Sequence, residues 1–427
     1  MQAIYVYTLF DKRTGKPRCT GIRIGDDTII RDLYRPGAGR ILADVFQSIK
    51  DVRNTILVAN NRNIPIVISD FKAHLKAFDI PLESEQYNAY DLHFPIIDPS
   101  DSLQRDTAIL YKVLDKMVKQ TPREYQKILA NAAVVYEDLE RVGLIYNYQY
   151  VEPVYSQRTY SGRSKTTNFN VQGLSDDGNI LVWPAHCSDK HILLHFDWVC
   201  ADIRAASILS GDDKLTESFL ESDPYTYMMN AINAESEQKI SRDECKLFLL
   251  KSINSMDFTS EALLDIYPGL GKWIRDCKHA LNVNGGYLET VLGRKFRAKH
   301  AKNDLAALNG AMQGSVAHAM QLVIHKIWAE FGAKLVTEIH DSLVISCVPN
   351  PIHINYVIDR VANIMLYPFK GVLEDNPIFP VNVSIGKKWK KWKLCRTYRQ
   401  NEVIRVKKFP KEDGAAQKER VEEKEAG

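Results

Sequence analysis

Two aspartates close short apolar runs: Asp197 in Leu193-Leu-His-Phe-Asp-Trp198, and Asp341 in Leu335-Val-Thr-Glu-Ile-His-Asp-Ser-Leu-Val-Ile-Ser-Cys347. Runs this short and this rich in branched and aromatic residues read as buried strands, which leaves the carboxylates at strand ends. Carboxylates presented by neighbouring strands can hold hard divalent cations. Magnesium takes oxygen ligands, keeps much of its water and completes its shell with one or two carboxylates plus substrate phosphates. Two such ions roughly 3.5–4 Å apart stabilise both the attacking and the leaving oxygen of an in-line displacement at phosphorus. An Asp at a strand end is also a common turn former or helix cap, so the neighbouring residues decide.

Those strands must sit in a chain large enough to position them. At 427 residues there is room for two or three domains and a sizeable core. With 45% hydrophobic and 26% charged residues, the composition is that of a soluble globular protein. No apolar run approaches the roughly 18 residues of a membrane span, and the start lacks a basic then apolar leader, so a cytoplasmic location is expected. Seven cysteines without a C-x-x-C spacing give neither a disulfide framework nor a zinc signature. A net charge of +3 does not by itself identify a nucleic-acid binder.

Along the chain, Ile4–Phe10, Thr20–Ile24 and Thr28–Ile30 alternate apolar and polar positions around turn residues, which predicts an antiparallel meander. A helix over Gly39–Asn54 and strands at Thr55–Ala59 and Ile64–Ser69 complete a small α/β domain over 1–100. Ser102 to about Gly143 has helical periodicity. The remainder to about 395 alternates strands and long helices, and the mixed-charge end from about 410 reads as a disordered tail.

Around the carboxylates the residues form ordered blocks. Asp197 is followed by Asp202, Arg204 and Leu209-Ser-Gly-Asp212, a helix closed by Gly211. Further blocks are Ser161-Gly-Arg163 with Asn170-Val-Gln172, Gly286-Tyr-Leu-Glu-Thr-Val-Leu-Gly-Arg294, Asn309 with Gln313, His340-Asp341, and Gly386-Lys-Lys-Trp389. In type, spacing and order they resemble the motifs of family A DNA polymerases, the DNA polymerase I family, over about 145–392. The physical reading agrees at Asn309 and Gln313, which share a helix face and can donate to minor-groove acceptors common to all correct base pairs.

The resemblance implies an α+β fold: a right-hand polymerase palm with an antiparallel sheet, helical fingers, a reduced thumb and a small N-terminal α/β exonuclease-like domain. The expected divisions are 1–100 for the degenerate exonuclease-like domain, 101–145 for a short helical linker or reduced thumb, 146–212 and 286–395 for the palm, 213–285 for the fingers, and 396–427 for the tail. It implies template-directed addition of dNTPs to a primer 3′-hydroxyl, with Asp197 and Asp341 as catalytic metal ligands for two Mg2+ ions, Mn2+ being an admissible substitute. It also implies DNA contacts at Arg163, Asn170, Gln172, Arg294, Asn309, Gln313 and His340. The partners implied are primer-template DNA, dNTPs and a processivity or replisome protein, with a monomeric chain and no membrane.

Several positions depart from the family pattern. On the nucleotide-binding helix Arg242 and Lys246 stand at the right spacing, but Leu250 replaces an aromatic residue, Asn254 replaces Tyr, and Tyr225 replaces a phosphate-contacting His. Asp202 stands where the family has a Glu that bars the ribose 2′-hydroxyl, and Ser342 follows the metal-site Asp in place of Glu. Val6-Tyr-Thr-Leu-Phe10 lacks the Asp-x-Glu pair a proofreading exonuclease needs, so no proofreading is expected, although Tyr87-Asn-Ala-Tyr-Asp91 is similar to a later exonuclease motif. The basic runs Arg294–Lys299 and Lys387–Lys393 mix cations with aromatics, which suits phosphate contact and base stacking. Two other readings stand beside this one. A single-subunit RNA polymerase or primase-like enzyme shares such a palm, and a DNA-binding replication protein could retain a decayed polymerase fold.

Overall fold

The computed structural model describes residues 4–10, 17–24, 27–32, 66–68, 86–88, 123–156, 159–175, 180–187, 190–237, 239–255, 260–283, 286–297, 303–399, 402–406 and 418–422. The expected helix over 39–54, the strand at 55–59 and the stretch 102–122 lie outside these residues. The chain divides into two compact units, Met1–Glu137 and Asp138–Gly427.

In the first unit, β1 (Ile4–Phe10), β2 (Pro17–Ile24) and β3 (Asp27–Asp32) form the antiparallel meander that the alternation predicts. Strands β4 (Ile66–Ile68) and β5 (Gln86–Asn88) add in parallel to β1, giving the mixed order β3-β2-β1-β4-β5. Helix α1 (Arg123–Val142) follows and ends at Gly143, whose φ of 66° lets the chain leave the helix without a Cβ clash.

The second unit is built on a seven-stranded antiparallel sheet of order β14-β15-β11-β16-β17-β18-β19. Its strands are β11 (Ile192–Trp198), β14 (Leu335–Ile339), β15 (Ser342–Cys347), β16 (Val381–Gly386), β17 (Lys393–Arg399), β18 (Glu402–Val406) and β19 (Lys418–Glu422). The last two lie in the stretch that the sequence assigned to the tail. Both β14 and β15 are almost wholly buried, which explains why their sequence runs apolar rather than alternating. Small sheets flank this one: β6 (Leu144–Tyr146), β7 (Gln149–Val151) and β10 (Val182–Pro184) in one, β8 (Val154–Ser156) and β9 (Lys165–Thr167) in another, and β12 (Tyr287–Glu289) with β13 (Lys295–Arg297) in a third.

Between β11 and β12 the chain is helical: α2 (Ala201–Ser210), α3 (Asp213–Glu221), α4 (Pro224–Glu235), α5 (Arg242–Ser255), α6 (Glu261–Ile266) and α7 (Pro268–Asn282). They share one core in which Phe219, Met228, Leu249, Leu270 and Ile274 meet. The Leu-Ser-Gly-Asp block has a mechanical reason. Gly211 ends α2 at φ 61°, and Asp212 then caps two helices, accepting from Leu215 N at 2.8 Å and Leu270 N at 2.8 Å. Helix α8 (Asp304–Phe331) packs on the β12–β13 hairpin through Gly310 and Gly314, where a Cβ would meet Phe296 at 2.5 Å and Thr290 at 2.9 Å. Helix α9 (Pro351–Leu366) covers β16 and β17.

His318, within α8, is fully buried, and burial followed by the charge of Arg294 holds its pKa well below the ordinary histidine range. The native state therefore keeps it neutral while the unfolded chain takes up a proton below about pH 6.5. Its contribution to stability is complete above that pH and falls as the pH is lowered, by at most about 1.4 kcal/mol per unit. Urea midpoints measured between pH 7.5 and 5 should shift less in His318→Gln than in the wild type, and identical pH slopes would exclude this origin.

Candidate active site

Strand β11 carries Asp197 in the middle of the sheet, bonded on one side to β15 with Asp197 opposite Ser342, and on the other to β16 with Asp197 opposite Asn382. Asp341 lies in the two-residue turn between β14 and β15. Its carbonyl accepts from Trp198 N at 3.2 Å, so the turn that carries Asp341 lies against the end of β11 that carries Asp197. Burial, and then the charge of Asp341, push the Asp197 carboxyl up to about 7. Burial also raises Asp341, with Asp202 adding to the effect.

Non-glycine residues in the left-handed region flank this pair, His340 at φ 60° and Cys200 at φ 53°. Such conformations cost about 1 kcal/mol or more and persist where the surroundings impose them. Among the described residues no group of three or more His, Cys, Asp or Glu is gathered for a metal. A pair of crowded, half-buried carboxylates nevertheless fits magnesium, whose remaining positions go to water and to substrate phosphates.

Asp202, in the first turn of α2, accepts from Arg163 Nη2 at 2.6 Å. The sequence placed these residues in separate roles, Arg163 on DNA and Asp202 on the nucleotide; the structure pairs them beside His340. Arg204 is buried and points the other way. It donates to Ile378 O at 2.6 Å and to Ser207 Oγ at 2.9 Å, and lies over the rings of Phe219 (5.4 Å) and Phe379 (6.0 Å). Burial lowers its pKa to about 10.

On α5 the start is fixed by a reciprocal cap: the Glu244 carboxylate accepts from Ser241 N at 2.7 Å, and Ser241 Oγ accepts from Glu244 N at 3.3 Å. Arg242 and Lys246 are exposed. Arg242 pairs with Asp223 at 3.2 Å, which stands just before Pro224 and caps α4. Leu250 packs against the helical core, and the side chain of Asn254 lies outside the described residues.

Three expected contacts are corrected. Tyr225 is buried beneath the Arg242 guanidinium, 5.3 Å from its ring, rather than open to a phosphate. Gln172 is buried beside β14, accepting from Thr166 N at 2.9 Å and donating to Ser164 Oγ at 2.8 Å and Glu338 O at 3.1 Å, so its amide is used internally. Arg294 is 4% exposed and donates to the carbonyls of Ser161 (2.9 Å) and Tyr160 (2.8 Å), so it shapes the Ser161–Arg163 turn instead of facing solvent. Glu338, which also accepts from Ser164 Oγ, was missed; a Glu inside a buried strand is itself the signal, since it requires internal donors.

Asn170 is exposed and caps the short 3-10 turn at Val171–Gly173. Asn309 and Gln313 are half-buried on α8. The expected stacking by Trp389 and Trp392 is also corrected. Trp389 is 0% exposed among Leu144, Val171, Leu193 and Val344, and Trp392 packs on that cluster with its ring stacked 4.2 Å from His195.

No protein-family model matches the chain. Among curated proteins it is 25% identical over 177 residues to DNA polymerase I of Borreliella burgdorferi, covering 38% of this chain and 18% of that protein. It is 23% identical over 259 residues to DNA polymerase theta of Caenorhabditis elegans, covering 54% of this chain and 16% of that protein. The chain thus spans less than a fifth of the length of either relative. Among solved structures, the POL domain of Pol1 from M. smegmatis, in complex with DNA primer-template and dNTP, superposes with a TM-score of 0.63 at 12% identity, over 91% of this chain and 96% of that one. Among the described residues no helix is long and apolar enough to cross a membrane. The chain has the POL-domain fold of the family A, DNA polymerase I-like polymerases and is a distant sequence homologue of DNA polymerase I and DNA polymerase theta.

Proposed function

We propose that the protein is a template-directed DNA polymerase that adds dNTPs to a primer 3′-hydroxyl without proofreading. The observation that carries this reading is the apposition of Asp197 and Asp341 at the middle of an antiparallel sheet, in a chain with the POL-domain fold. Asp197 and Asp341 would hold Mg2+. When bound, the metal supplies charge stabilisation to the attacking and leaving oxygens of the displacement. The residues of the chain do the rest. The sheet fixes both carboxylates, and the exposed cations Arg242 and Lys246 receive the triphosphate from α5. Asn309 and Gln313 present amides to the nascent pair, while Asn170 and His340 lie to the primer side.

Asp202 is proposed to bar the ribose 2′-hydroxyl, with Arg163 holding its carboxylate in place. Asp202→Ala should improve the use of rNTPs relative to dNTPs by about tenfold or more, the worth of one polar or steric contact of 1–3 kcal/mol. Competition assays on a single template position read this ratio, and an unchanged ratio removes Asp202 from sugar selection.

A primer-extension assay with Mg2+, supplying dNTPs and rNTPs separately, tests the whole reading. Extension with dNTPs supports it. Preference for rNTPs, or synthesis without a primer, points to an RNA polymerase or primase. Binding of primer-template without any extension points to a non-catalytic replication protein.

A further inference from the structure

The turn from β16 to β17 holds Lys387, Lys388, Lys390, Lys391 and Lys393 around two tryptophans. Its construction sorts these residues by side. The Trp389 ring is sunk in the core, its backbone N–H donates to Ile180 O at 2.9 Å, and Trp392 lies on His195. Gly386 admits the returning chain, since a Cβ there would meet Lys391 O at 2.5 Å, and Lys390 donates to Leu174 O at 2.7 Å from a φ of 56°. With the rings turned inward and Lys390 spent on a carbonyl, Lys387, Lys388, Lys391 and Lys393 are left exposed. Among the described residues no ion pair involves Lys387, Lys391 or Lys393.

The location of this turn indicates what it meets. In the β11–β16 register Asp197 faces Asn382 and Leu193 faces Gly386, so the turn begins four residues from the carboxylates along the strand. At about 3.3 Å per residue this is about 13 Å. Duplex DNA advances about 3.4 Å per base pair, so about four pairs fill the interval. Lys390 and Trp389 also dock the turn against the segment that follows the exposed Asn170.

We infer that this turn is a phosphate clamp for the double-stranded part of the primer-template, about four base pairs behind the primer end. The inference rests on the polymerase reading above. Rings turned inward leave no platform for the aromatic stacking on which single-strand binding depends, whereas four exposed lysines carried on a docked turn suit a duplex backbone.

The test is the salt dependence of primer-template binding by the full chain, followed by fluorescence anisotropy of a labelled hairpin. In the variant with Lys387→Gln, Lys388→Gln, Lys391→Gln and Lys393→Gln, the slope of log K against log salt should lose up to about 3.6, or about 0.9 per phosphate contact. The corresponding four-arginine variant should keep the slope. Uncharged methylphosphonates three to six nucleotides behind the primer end should lower the wild-type slope similarly and add little in the glutamine variant. A glutamine variant with the wild-type slope overturns the clamp, as does a weaker affinity at unchanged slope, while wild-type extension activity would leave the polymerase reading standing. A wild-type chain that neither binds nor extends a primer-template overturns both. Slope loss that is insensitive to methylphosphonate position assigns the lysines to some other acidic partner and also overturns the clamp.

Discussion

Asp197→Ala and Asp341→Ala chains are expected to extend a primer about a thousand-fold more slowly than the wild type, or not at all, while still binding primer-template. Each carboxylate contributes to transition-state charge stabilisation worth several kcal/mol, and 1.36 kcal/mol is a factor of ten in rate. The two sites should not be additive, because both act on one metal assembly. Stability should move in the opposite direction. Asp197 is half-buried and near another carboxylate, so Asp197→Asn, which keeps the shape and removes the repulsion, should raise the melting temperature in EDTA. Activity lost with stability gained marks a group retained for chemistry. A mutant that extends at more than a tenth of the wild-type rate, or melts well below it, would contradict the assignment.

Arg204→Ala is expected to cost about 3 kcal/mol of stability, read as a lower urea midpoint at unchanged m-value. The substitution leaves the Ile378 carbonyl without its donor, worth about 1–3 kcal/mol, and empties the space between Phe219 and Phe379. Arg204→Lys should recover part of the loss, since an ammonium can reach one acceptor but lacks the planar fork. Because Arg204 ties α2 to the segment entering β16, both of which border Asp197, extension should weaken as well, and chiefly through lowered stability. An Arg204→Ala chain as stable as the wild type would leave this position to a direct role on substrate.

The sequence and the structure agree most closely where chain pattern alone determines placement. Apolar runs too short for helices read as strands, which left Asp197 and Asp341 near strand ends, while their pairing came from the order of the motifs around them. The break at Gly211 was equally readable, because it depends on neighbours in the chain. Misreadings cluster where a polar or aromatic side chain has two uses. Gln172, Arg294 and Tyr225 occupy motif positions, yet their hydrogen bonds or rings are spent inside the protein. Motif order identifies a position without saying which way its side chain points. Trp389 and Trp392 looked like stacking platforms because composition does not distinguish a ring among lysines from a ring beneath them. The Arg163–Asp202 pair joins residues 39 apart in sequence and could be found only once the sheet and α2 were placed together.

Strand β11 is laced on both sides, to β15 and to β16, over almost its entire length. The carboxylate it carries therefore sits on a stretch of backbone that cannot slide or tilt unless two ladders break together. Under the proposed function, any rearrangement on nucleotide binding falls to the helices rather than to this strand. In deuterium-exchange experiments the amides of Leu193 to Phe196 should be among the last to exchange, and those at the solvent-facing start of α5 among the first.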